Sequence, residues 1–205
     1  MRGEALESIE NNFIELGQLF DSILQSCNDS GRKAKVNGVK SEMSKFKYYF
    51  GARLGIEILS HTDNLSRALQ NPSLSAAEAH QNAKRVISVL NDQRSDAQFD
   101  LFWNELNNSL DAKKIDEPAQ ERKRKHREFF GEDSGTDYLP NTAKGRFKMA
   151  YMEAFDHVIL QITSRFDQPD YAMYRVMEGI LLGAFRGDNM SDDFDRAIKS
   201  CTCKQ

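Results

Sequence analysis

Residues 40–70, KSEMSKFKYYFGARLGIEILSHTDNLSRALQ, read as one amphipathic helix. Val39, Met43, Phe46, Phe50, Leu54, Ile58 and Leu65 recur at four- and three-residue steps, while Lys45, Lys47, Arg53 and Glu57 fall mostly off that line. One stripe of the helix is therefore apolar and has to be buried. The pattern predicts a helix from near Lys33 that frays before Asn71-Pro72, where the proline cannot continue it.

The same periodicity extends outward in both directions. Leu6, Ile9, Phe13, Leu16, Phe20 and Ile23 predict a first helix of about five or six turns, ending in the turn formers Asn28-Asp29-Ser30-Gly31. After Pro72, Ser75 and Glu78 have the spacing of a capping box, with Leu74 at the staple position. They open a third helix whose stripe is Ala79, Ala83, Val86 and Leu90. Ser95-Asp96 caps a fourth, carrying Phe99, Phe102, Trp103, Leu106 and Leu110. A fifth follows Pro140-Asn141-Thr142, with Phe147, Tyr151, Ala154, Phe155, Val158, Ile162 and Phe166 in line until Asp167–Pro169 stops it. The sixth, Tyr171 to Phe185, is apolar on most sides, which predicts a central place in the core. A short last helix is expected from Ser191.

No stretch alternates apolar and polar residues between hairpin turns, so no sheet is expected. The expectation is all-α: an irregular bundle of about six or seven helices with a disordered basic linker. The organisation reads as an N-terminal helical block over 4–111, a charged flexible linker over 112–140 where periodicity vanishes, and a C-terminal helical block over 141–200 packing on the first.

Composition sets limits on function. The chain has 205 residues, 40% hydrophobic and 29% charged, with net charge −3 and mean hydropathy −0.63, as in a soluble globular chain with some solvated length. The balance gives no global attraction to nucleic acid, so any such contact has to be local. Cys27, Cys201 and Cys203 are an odd set without a disulfide framework, which points to a reducing compartment. Met1-Arg2-Gly3-Glu4 leads into a charged amphipathic segment with no apolar signal region. The longest apolar run, Gly179 to Phe185, is far shorter than the roughly twenty residues of a membrane span, and no membrane association is expected.

Three blocks then occur in order: Lys45 to Gln70 with its Thr62-Asp63-Asn64-Leu65-Ser66-x-x-Leu69-Gln70 ending, Gln93-Arg94-Ser95-Asp96-x-x-Phe99-Asp100-x-x-Trp103, and Arg122-Lys123-Arg124-Lys125. This order resembles the helical part of hAT-superfamily transposases, closest to the vertebrate MYM-type zinc-finger proteins, over roughly residues 4–165. In that family a helical insertion interrupts a ribonuclease-H-like catalytic domain. Its chemistry uses two aspartates before the insertion and a glutamate after it, in a Ser-Glu-Arg-x-Phe-Ser block, to hold divalent metal ions. No such block is present here, nor a MYM or BED cysteine pattern, and Arg2-Gly3 stands where relatives tend to have Arg-Trp. The resemblance implies a transposon-derived insertion domain without its catalytic centre, a gene fragment or domesticated remnant acting in the nucleus.

The expected site is the basic run. Arg122, Lys123, Arg124, Lys125 and Arg127 place five permanent positive charges within six residues, a pattern that tracks nucleic-acid phosphates or serves as a nuclear-import signal. The alternative is a passive spacer in a purely structural or protein-interaction module. DNA, nuclear proteins and a second copy of the chain are the expected partners, the last because Phe13, Phe20, Phe46 and Phe50 offer a large apolar stripe.

Other candidates reduce to structure. Trp103 fits the stripe of its helix better than a base-stacking role. Asp96 and Asp100, and likewise Asp192, Asp193 and Asp195, suit the positive end of a helix dipole better than a metal ion. His61, His80, His126 and His157 have no zinc spacing, and Cys201-x-Cys203 supplies only two ligands. No phosphate loop, nucleophile elbow or cysteine beside a base is found, so no catalytic residue, metal or cofactor is expected and the chain does not read as an enzyme.

Overall fold

Turn chemistry and apolar spacing divide the chain into helices much as expected. The computed structural model describes residues 2–119, 140 and 142–187, and every regular element among them is an α-helix: α1 (Arg2–Asn11), α2 (Phe13–Ser26), α3 (Ser30–Met43), α4 (Phe46–Leu69), α5 (Ala76–Gln93), α6 (Asp96–Lys113), α7 (Ala143–Phe166) and α8 (Pro169–Arg186). The all-α expectation is borne out.

The count of eight described helices exceeds six or seven because two expected helices are each broken once. The first divides at Asn12, whose side-chain amide donates to the Ser8 carbonyl at 2.7 Å while its backbone leaves helical geometry at φ −109°, ψ 24°. A short polar side chain competes in this way with the helical ladder. The second break falls inside the deciding stretch, at Ser44-Lys45. Ser44 Oγ donates to the Lys40 carbonyl at 3.0 Å, and the Ser44 carbonyl accepts the Asp116 N–H at 2.8 Å. A carbonyl given up by the helix is thus satisfied by the loop after α6. Periodicity carries no trace of such a partner, because Asp116 lies far along the chain. The break also explains Val39: it belongs to α3 rather than to the α4 stripe, and it is exposed.

Caps otherwise follow the chemistry. Asp29 accepts the Gly31 N–H at 2.8 Å to start α3. Ser75 and Glu78 form the expected box, Ser75 N–H to Glu78 at 3.0 Å and Glu78 N–H to Ser75 Oγ at 3.2 Å. Ser95 Oγ accepts the Gln98 N–H, Thr142 Oγ1 accepts the Gly145 N–H at 3.0 Å, and Pro169 opens α8.

The described helices fall into two compact units: Met1–Leu59 with Arg94–Ala154, and Ser60–Gln93 with Phe155–Gln205. The boundaries lie within α4 and α7. In the first unit α2 and α3 pack together and Lys40 pairs with Asp21. Its core is aromatic: Phe46 meets Trp103 at 5.3 Å and Phe147 at 4.9 Å, Phe50 meets Phe102 at 5.7 Å, and Phe99 meets Tyr151 at 5.4 Å between ring centroids. Most of these pairs are edge-on, the arrangement favoured by ring quadrupoles. Phe13, Phe46 and Phe50 are buried in this core, so they cannot provide the self-association surface expected of them.

In the second unit the core is Leu65, Ala76, Ala79, Ala83, Leu90, Phe155 and Ile162, and the small residues of α5 let α8 approach closely. The expected central place of the sixth helix is overturned. No residue of α8 is buried, and Leu181 and Phe185 are 69% and 93% exposed. Apolarity on most sides does not by itself make a helix central.

Candidate binding groove

Two helix ends in the second unit present matching faces. From α4 come Thr62, Leu65, Ser66 and Leu69, and from α7 come Val158, Gln161, Ile162 and Arg165; Phe166 and Tyr171 complete a groove of about 410 Å³. The spacing i, i+3, i+4, i+7 occurs on both helices, so each set lies on one side of its own helix. Leu65 and Ile162 are buried in the floor, while Leu69 is 41% exposed. Arg165 is an exposed cation among the lining residues.

The α7–α8 corner sets the end of the groove. Asp167 and Gln168 leave the helix, Pro169 restarts it, and the short turn brings Phe166 edge-on to Tyr171 at 5.3 Å. The Tyr171 hydroxyl donates to the Ala76 carbonyl at 2.8 Å, and the Ala76 N–H donates to Glu178 Oε2 at 2.5 Å. A carboxylate at the start of α5 satisfies an otherwise orphan amide and complements the helix dipole. These two bonds tie α8 to the first turn of α5. Burial raises the Tyr171 phenol above its ordinary range; Arg175 opposes the shift, and Glu178 reinforces it.

His80 lies beside this corner, its ring 6.2 Å from that of Tyr171. Its Nδ1 is buried without a hydrogen-bond partner. Burial, then the positive charges of Arg175 and Lys84, hold the imidazole below its usual range, so the neutral form is favoured. The groove itself is lined by apolar side chains, three hydroxyls, an amide and a guanidinium, a set suited to recognising an amphipathic surface with an acidic group.

The sites expected from sequence are distributed otherwise. Arg122, Lys123, Arg124, Lys125 and Arg127 all lie outside the described residues, as do His126, the segment from Ser191 with Asp192, Asp193 and Asp195, Cys201 and Cys203. Trp103 is core, packed against Phe46, Phe99 and Phe147. Asp100 pairs with Lys144 at 2.6 Å and Asp96 with Lys148 at 2.8 Å, so these carboxylates clip α6 to α7. The hydrogen bond from Lys144 holds the Asp100 carboxyl below its ordinary range. Among the described residues no cluster of His, Cys, Asp and Glu has metal-site geometry, and no described helix is long and apolar enough to cross a membrane. Leu65, Val158, Ile162 and Phe166 were legible as helix stripes. Which part of each stripe stays uncovered was not, since that depends on the neighbours.

No protein-family model matches this chain, and no solved structure matches it.

Proposed function

We propose that this chain is a non-catalytic helical interaction module, of the transposon-derived kind its ordered motifs resemble, whose groove takes the apolar face of a helix from a nuclear protein. The observation that carries this reading is the pairing of two i, i+3, i+4, i+7 faces around one apolar slot with Arg165 among its lining residues. An amphipathic helix docks through side chains at that same spacing, and an acidic residue on it would meet the guanidinium. The test uses the full chain and a fluorescein-labelled amphipathic helical peptide with leucines at i, i+3 and i+7 and one glutamate. Saturable anisotropy is expected, lost in Leu69→Asp and weakened in Arg165→Glu. Equal binding by wild type and Leu69→Asp would remove the groove from consideration.

A second reading rests on a separate observation, the five cations of Arg122, Lys123, Arg124, Lys125 and Arg127. In this reading the run contacts DNA phosphates, and the same charges direct the chain to the nucleus. Binding to a short fluorescent duplex is then expected to fall steeply between 50 and 200 mM salt. Joint replacement of Arg122, Arg124 and Arg127 by alanine is expected to flatten that dependence by roughly three phosphate contacts. A binding curve unmoved by the triple substitution rejects the DNA contact, and a nuclear signal unmoved by it in cells rejects the import role.

A further inference from the structure

Beside the face of α8 that carries Tyr171 and Glu178 to α5 runs an apolar strip with the spacing of a helix–helix seam. Tyr174, Met177, Leu181 and Ala184 follow one another at three- and four-residue steps, the a/d rhythm of paired helices. Met173 and Phe185 flank the seam. Met173 is 48%, Tyr174 58%, Met177 56%, Leu181 69% and Phe185 93% exposed. These five side chains leave roughly 650 Å² of largely apolar surface in water, taking about 200 Å² as the full area of a large side chain.

That is above the 300–600 Å² of the largest apolar patch on a typical monomer. It is close to the roughly 800 Å² per partner of a standard stable interface. The residues beyond α8 offer less: Met190, Phe194 and Ile198 are the only large apolar side chains in 188–205, three against the five of the strip. A second copy offers an identical strip.

We infer that the chain forms a two-fold dimer through α8, each strip covering the other. A two-fold interface requires a self-complementary patch, and an antiparallel pairing about the point between Met177 and Leu181 meets that condition. Met177 then faces Leu181 of the second copy, and Met173 faces its Phe185, a thioether against an aromatic ring. No residue of the strip lines the groove, so dimerisation and groove binding are separable by substitution.

Sedimentation equilibrium of the full chain over micromolar concentrations tests this. The wild type is expected to approach twice the 23.4 kDa chain mass, and Leu69→Asp to do the same. Leu181→Glu and Phe185→Glu replace exposed side chains and are expected to keep native helicity. Each is expected to weaken association by roughly 100-fold or more, because a two-fold interface buries the new charge twice. A wild type that stays at single mass throughout, with the strip open or covered by its own residues 188–205, overturns the dimer. So does a dimer indifferent to both glutamates.

Discussion

Arg53 of α4 donates from Nη1 to Glu10 Oε2 of α1 at 2.8 Å, with the two side chains only 25% and 16% exposed. Lys113 of α6 reaches the other Glu10 oxygen at 3.2 Å, and the Tyr49 hydroxyl lies 3.3 Å from that oxygen and 2.9 Å from Ser109 Oγ. One carboxylate therefore joins three helices of the first unit. Burial alone would raise the Glu10 pKa, but the hydrogen bonds and charges of Arg53 and Lys113 outweigh it and hold the group below its ordinary value.

Because the folded pKa is depressed, the unfolded chain takes up the proton first as pH falls. The stabilisation from Glu10 is complete above its unfolded value near 4.5 and is lost as pH drops through the lower folded value. Glu10→Gln is expected to cost about 1–2 kcal/mol at neutral pH, less than for a fully buried pair because Arg53 keeps some solvent. It should also flatten the acid limb of the stability profile. Urea unfolding at a series of pH values measures both, and an unchanged acid limb contradicts the assignment.

Tyr151 shifts the alkaline side. It is 1% exposed, with ring centroids 5.4 Å from Phe99 and 5.3 Å from Phe102, and burial, reinforced by the Glu57 charge, pushes its phenol up to about 12. Between pH 10 and 12 the unfolded chain loses this proton while the folded one keeps it, so stability falls as pH rises, by about 2–3 kcal/mol in all. Tyr151→Phe is expected to remove that part of the slope. Ultraviolet titration is expected to show one tyrosine fewer ionising near pH 12 in the variant.

Two glycines separate rigid from yielding neighbours. A Cβ on Gly145 would lie 2.6 Å from Pro140 Cβ and 3.0 Å from Thr142 Oγ1, against a ring that cannot rotate aside and the oxygen that caps α7. Gly145→Ala is expected to destabilise by about 1–3 kcal/mol despite the helix-propensity gain of about 1 kcal/mol. A Cβ on Gly55 would meet only the Leu6 Cδ1 methyl, at 2.9 Å, and that side chain can turn. Gly55→Ala is expected within about 1 kcal/mol of neutral. Thermal melts of the two variants should differ clearly, and equal melts would refute the contrast.

Lys114 closes α6 in the left-handed region, at φ 54° and ψ 48°, with the Ile115 N–H returning to the Leu110 carbonyl at 3.0 Å and Ile115 buried. This is a Schellman end built on a residue other than glycine. Lys114→Gly is expected to gain roughly 0.5–1 kcal/mol, the relief of Cβ strain exceeding the extra freedom of the unfolded chain. Lys114→Val is expected to lose at least about 1 kcal/mol. Denaturant midpoints decide it, and a glycine variant less stable than wild type would count against the strain.

The stripe residues Phe46, Phe50, Leu54, Ile58 and Leu65, the box at Ser75 and Glu78, and the cap at Ser95 could all be read from the chain, because helix periodicity and capping are local properties. They were enough to give the all-α class and six helical segments. The break at Ser44 depended on the Asp116 amide, and the tie at Glu10 on cations from α4 and α6. The exposure of Leu181 and Phe185 depended on which side of α8 meets α5, and the groove on how the ends of α4 and α7 align. Each of these rests on contact between residues far apart in the chain. Local pattern shows that a face is apolar, but only packing decides whether anything covers it.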